Sequence, residues 1–74
     1  RSNDVQVVSQ SLTKREREVC RMLAMGHTVP EIAKIIGISR KTVDVHKTRL
    51  MKKLDIHNRA GLVRYAIQNR LVDV

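Results

Sequence analysis

The chain has 74 residues, with 15 Lys and Arg against 7 Asp and Glu, a net charge of +8 and a pI near 10.6. That length supports one small domain with a thin core, and a hydrophobic content of 42% excludes a disordered tail. Tyr65 is the single aromatic residue, so the core must be aliphatic, which favours interlocked helices over a sheet sandwich.

The positive excess predicts attraction to a polyanion, either nucleic acid or an anionic membrane surface. Cys20 is the only cysteine. It excludes an internal disulfide, makes a zinc knuckle untenable and fits a reducing compartment. No apolar run is long enough for a membrane span or a signal-peptide core. The first residue is Arg1 rather than Met, so the expectation is a piece of a longer protein or a processed one.

Residues 1–11 are polar around an isolated Val5, Val7 and Val8, and read as a tether from an upstream domain; residues 12–74 read as the folded domain. Thr13 followed three residues later by Glu16 is a capping box. The helix it opens places Val19, Cys20, Leu23 and Ala24 on one face, with Leu12 stapling its start and Gly26 stopping it. Thr28, an early Pro30 and Glu31 repeat the start signal for a second helix of about two turns. Its apolar side reads as Ile32, Ala33, Ile35 and Ile36. Gly37-Ile38-Ser39 is a tight turn, and Ser39 caps a third helix running to about Leu54. Asn58, after a second turn, caps a fourth helix over roughly 59–71. The predicted fold is all-α, a compact four-helix bundle in which the second helix, the Gly37 turn and the third helix form a helix-turn-helix.

At 100° per residue, Val43, Leu50 and Leu54 fall within about 40° of one another, flanked by His46 and Lys47. The opposite side carries Lys41, Asp44, Val45, Thr48, Arg49 and Lys52, with Arg40 at the N-terminus and Lys53 near the edge of the buried stripe. Six cations therefore crowd residues 40–53 against one acid. A solvated face normally mixes signs to form i,i+4 pairs; a polyanion along this helix would relieve the repulsion. Long cations suit phosphates, and short residues between them allow approach to a groove floor. Val45 suits a thymine methyl, Thr48 a base edge, and Asp44 the N4 amino group of cytosine. The lack of aromatics argues against stacking on single strands.

Other constellations carry less. His27, His46 and His57 with Cys20 match no metal-ligand spacing, and no cofactor is expected. Cys20 falls on the apolar face of its helix and reads as core. No Ser, His and acid cluster or phosphate loop supports an enzyme. On the fourth helix, Ala60, Leu62, Val63, Ala66 and Ile67 spread over roughly 160°, wider than a core stripe needs. That width is explained either by burial under the first helix or by a two-fold contact through Leu62, Val63, Ala66 and Ile67, which would set two recognition helices about 34 Å apart.

Taken together, LTKREREVC at 12–20, Gly26, EIAKIIGIS at 31–39, TVDVHKTRLMKKL at 42–54 and the following NRAGLV resemble the LuxR/FixJ (NarL/GerE)-type DNA-binding domain of bacterial transcription regulators. The resemblance covers about residues 12–71. It implies a four-helix bundle, control of transcription through the major groove of double-stranded DNA, a dimer, an upstream receiver or ligand-binding domain, and a place in the bacterial cytoplasm. By position, it puts base reading on Asp44, Val45 and Thr48 and backbone contacts on Thr28, Lys41, His46, Arg49 and Lys53, to which the charge pattern adds Arg40 and Lys52. It gives Glu18 a structural part, holding Lys34 or Lys53 across the bundle. Val29-Pro30 departs from the usual polar pair, and Pro30 offers no amide proton to a phosphate. Asp44 is closer to the FixJ branch than to those with Lys there. Two other readings stand beside this one: a basic protein-interaction module, and a sigma-factor-like promoter-binding region partnered by RNA polymerase.

Overall fold

The computed structural model describes residues 12–72, so the expected tether at 1–11 lies outside the described residues. Within them the chain forms four α-helices: α1 (Lys14–Ala24), α2 (Val29–Ile36), α3 (Arg40–Leu54) and α4 (Arg59–Gln68). Each begins where a side chain satisfies a free amide of the first turn. Thr13 Oγ1 accepts from Glu16 N while Glu16 Oε1 accepts from Thr13 N, and Thr28 and Glu31 repeat this reciprocal box on α2. Ser39 Oγ accepts from Thr42 N at the start of α3, and Asn58 Oδ1 from Gly61 N at the start of α4.

All four helices also end alike. A residue with positive φ (Gly26, Gly37, Asp55 or Arg70) lets the next amide fold back onto the carbonyl five residues earlier. These bonds are His27 N to Met22 O, Ile38 N to Ala33 O, Ile56 N to Met51 O and Leu71 N to Ala66 O. This is the Schellman closure, whose last residue tends to make a hydrophobic contact; Ile38, Ile56 and Leu71 all pack against the core. It also corrects the expected end of the fourth helix. The helix stops at Gln68, and Leu71 is the apolar plug of the closure rather than the last helical residue.

Helix α1 is the hub, packing on α3, α4 and α2, while α2 also packs on α3. The core is Leu12, Val19, Cys20 and Leu23 from the first segment, Ile32 and Ala33 from α2, Val43 and Leu50 from α3, and Leu62 and Ala66 from α4. Among the described residues no helix is long and apolar enough to cross a membrane. Ile35, expected on the buried side of α2, is instead 55% exposed. Helix α2 is short and packs mainly on α1 and α3; it buries Ile32 and Ala33 and leaves Val29 and Ile36 partly covered at the edge of the core.

Candidate nucleic-acid interface

Helix α3 is held by one side and free on the other. Val43 and Leu50 are fully buried, and Met51 and Leu54 pack against the same core. Arg40, Lys41, Asp44, Val45, Thr48, Arg49 and Lys52 are all exposed. Lys41, Asp44, Val45, Thr48 and Arg49 together line one shallow open depression of about 310 Å³ along the helix. The structure therefore brings the three residues expected to read bases into one patch, with two of the cations expected at phosphates on its rim. Val45 stands 41% exposed within this polar surface.

Two residues expected at the DNA backbone, Lys53 and His46, are drawn partly toward the interior. The Lys53 ammonium donates to Glu16 Oε1 at 2.7 Å, and the Glu16 side chain is only 2% exposed. The same oxygen accepts the Thr13 amide at 2.9 Å. Burial alone would push the Glu16 carboxyl upward. The Lys53 and Thr13 hydrogen bonds, with the nearby charges of Lys53 and His46, outweigh it and hold the group below its ordinary value. His46 is half-buried, and its Nδ1 is enclosed without a hydrogen-bond partner among the described residues. The acid across the bundle is thus Glu16, not the expected Glu18. Glu18 pairs with Arg15 on the surface of α1 at 2.9 Å, because it lies two positions past Glu16 and so on a different side of the helix.

Thr28 caps α2, and both its amide and its Oγ1 are engaged with Glu31. The Thr28 amide lowers the Glu31 carboxyl, and the exposed carboxylate occupies the helix start where the absent Pro30 proton already weakens an anion site. The Thr28 hydroxyl also bonds the Glu31 carboxylate and lowers it further. Arg59, which had no assigned part in the sequence, donates from Nη1 to Leu23 O at 2.6 Å and ties the start of α4 to the end of α1. Nothing in its local pattern distinguishes it from a surface arginine.

On α4 the expected self-contact divides. Leu62 is 2% and Ala66 0% exposed, both within the chain's own core, which removes them from any surface a second copy could reach. Val63 is half-buried and Ile67 is 39% exposed. Cys20 is enclosed in the core, and burial pushes its thiol up to about 11. Among the described residues no three His, Cys, Asp or Glu side chains gather in a way that could hold a metal.

A helix-turn-helix seated on a hub helix, with its second helix presenting a cationic polar face outward, defines the DNA-binding class of helical domain. Comparison with known proteins narrows this class. The family described as bacterial regulatory proteins, luxR family (GerE), matches residues 10–66, and the chain belongs to it. Similar curated proteins include the transcriptional regulatory protein UhpA of Escherichia coli, 53% identical over 72% of this chain and 27% of its own length. The uncharacterised response regulatory protein YgeK of the same organism is 44% identical over 77% of the chain and 39% of its length. The oxygen regulatory protein NreC of Staphylococcus haemolyticus is 42% identical over 84% and 29%. The chain therefore spans well under half the length of these relatives. The family is one of transcription regulators rather than enzymes.

Proposed function

We propose that the chain is the DNA-binding effector domain of a transcription regulator that lays α3 in the major groove of duplex DNA. Asp44, Val45 and Thr48 meet base edges. Arg40, Lys41, Arg49 and Lys52, with Thr28 at the start of α2, meet phosphates. His46 and Lys53 stand at the margin of that contact, and Lys53 also seats α3 on α1 through Glu16. The observation that carries the reading is the single exposed patch of Lys41, Asp44, Val45, Thr48 and Arg49, opposite the buried Val43 and Leu50. With Lys53 paired to Glu16, five further cations against one acid on α3 repel one another in water; a row of phosphates removes that cost.

Two copies would bind two half-sites through α4, with Val63 and Ile67 as the accessible apolar residues. The description of YgeK as a response regulatory protein and of UhpA as a transcriptional regulatory protein supports a regulatory domain upstream of this one in a longer protein; work in the bacterial cytoplasm alongside RNA polymerase belongs to the same proposal. Duplex binding at stepped salt concentrations tests the reading. With about five phosphate contacts, log K should fall with log salt at a slope of about −4 to −5. A slope shallower than about −2 would overturn it. A competing assignment as a protein-interaction module requires that an acidic partner survive an excess of random duplex.

A further inference from the structure

Asp44 is the only acid on α3, among six cations. Arg40 and Lys41 lie four and three positions before it and Lys47 three after, the spacings at which a helix forms ion pairs. A carboxylate placed to dampen local repulsion would fold onto one of them. Among the described residues Asp44 instead makes no hydrogen bond or ion pair, and it lines the open patch together with Val45 and Thr48. Its charge lowers affinity for any phosphate nearby. Something other than backbone affinity must account for an unengaged acid in the middle of this surface.

We propose that Asp44 is a specificity-determining residue that selects a cytosine in each half-site, with Val45 favouring an adjoining thymine; this rests on the groove-binding reading above. The choice of base follows from the donors each one offers. A carboxylate only accepts. Guanine shows it two acceptors, N7 and O6, and thymine shows O4, so both repel it. Adenine offers its N6 amino group but sets the N7 lone pair beside it. Cytosine alone offers an amino donor, N4, with a C–H rather than a lone pair as its neighbour on the groove edge. Val45, next in the chain and exposed, presents two methyl groups that pack on the thymine C5-methyl and cannot satisfy a polar edge. The carboxylate thus discriminates both ways: it gains a hydrogen bond at cytosine, and it leaves a desolvated, repelled charge at any other base.

The test is selection of duplexes from a random pool by the chain, run in parallel for wild type, Asp44→Ala and Asp44→Asn. Asp44 is exposed and touches nothing that holds the fold, so both variants keep it; thermal unfolding checks this. The wild type should enrich a motif with one cytosine per half-site, favoured over other bases by about 5- to 150-fold. Asp44→Ala should retain the rest of the motif and lose that preference, while binding random duplex more tightly than the wild type. Asp44→Asn should move the preference to adenine, because a carboxamide both donates and accepts and matches N7 and N6 together. If all three proteins enrich the same base at every position, the proposal is overturned while the groove-binding reading stands. If no protein enriches any motif, the groove-binding reading fails, and this proposal with it.

Discussion

Lys53, in the last turn of α3, donates to the buried Oε1 of Glu16 in the first turn of α1, across 37 residues of sequence. One oxygen thereby fastens the start of the hub helix, through the Thr13 amide, and the far end of the recognition helix. Removing Lys53 would leave a carboxylate enclosed with half its partners gone. Lys53→Met should destabilise the domain by about 1–3 kcal/mol in urea unfolding, and Glu16→Gln by less, since the amide oxygen still accepts from Thr13.

The same pair sets an acid limit. The folded-state Glu16 carboxyl lies below its ordinary value, so the unfolded chain binds this proton more readily. Its contribution is complete above the ordinary carboxylate range and is lost as pH falls through the lowered folded value. Stability measured between about pH 6 and 2 should fall in this window for the wild type, and the fall should be shallower in Glu16→Gln. Equal acid slopes for the two proteins would show that Glu16 does not carry the loss.

Helix ends supply a second stability prediction. Gly37 has φ 72° and an added Cβ would meet nothing, so Gly37→Ala isolates the backbone cost of a left-handed alanine, about 1 kcal/mol. Asp55 and Arg70 hold the same conformation without being glycine. Asp55→Gly and Arg70→Gly should each stabilise by a few tenths up to about 1 kcal/mol. Asp55 would lose only its bond to His57, and both side chains there are more than four-fifths exposed, so that pair weighs little.

Much of this architecture is legible in the residues. Thr13, Thr28, Ser39 and Asn58 announce the four helix starts, because a cap is a local bargain within three residues. The outward face of α3 is equally readable, since Val43, Leu50 and Leu54 fix its inward side by period alone. What was not legible depends on neighbours distant in sequence. Glu16 looks like a first-turn surface acid until Lys53 covers it, and the apolar arc of α4 does not say which part α1 will take. Ile35 fits the period of a buried stripe, but no helix lies over it.

Cys20 offers a direct probe of the core. Its side chain is fully enclosed and its thiol is pushed up to about 11, so at pH 8 neither access nor thiolate is available. Alkylation of the folded domain should be slower than that of a free thiol by orders of magnitude, with a rate tracking the opened fraction across a urea series. Cys20→Ser should destabilise by about 1–3 kcal/mol, because the hydroxyl would be enclosed among Val19, Leu23 and Ile32 without an evident partner.

On the DNA-facing side, substitutions should separate by chemistry. Lys41→Ala or Arg49→Ala should weaken all duplexes alike and reduce the magnitude of the salt slope by about one each. Val45→Ala or Thr48→Ala should relax preference at one or two base pairs by about 1–3 kcal/mol while leaving the slope unchanged. Quantitative duplex binding at two salt concentrations, on preferred and scrambled sites, distinguishes the two patterns. An unchanged preferred site in both Val45 and Thr48 variants would mean that α3 docks by another face.

The last prediction concerns α4, where burial divides four apolar residues into two pairs. Ile67→Lys places a charge on a surface already 39% exposed, so folding should change by no more than about 0.5 kcal/mol. If two copies meet there, the change sets like charges against each other across the two-fold axis. Binding to a duplex with two half-sites about 34 Å apart should lose its cooperativity, while binding to one half-site stays as it was. Leu62→Lys must behave differently. Its side chain is enclosed against α1, and a buried ammonium without a partner should unfold the domain outright. Retained cooperativity in a folded Ile67→Lys protein would rule out α4 as the contact and move the search for it to another surface.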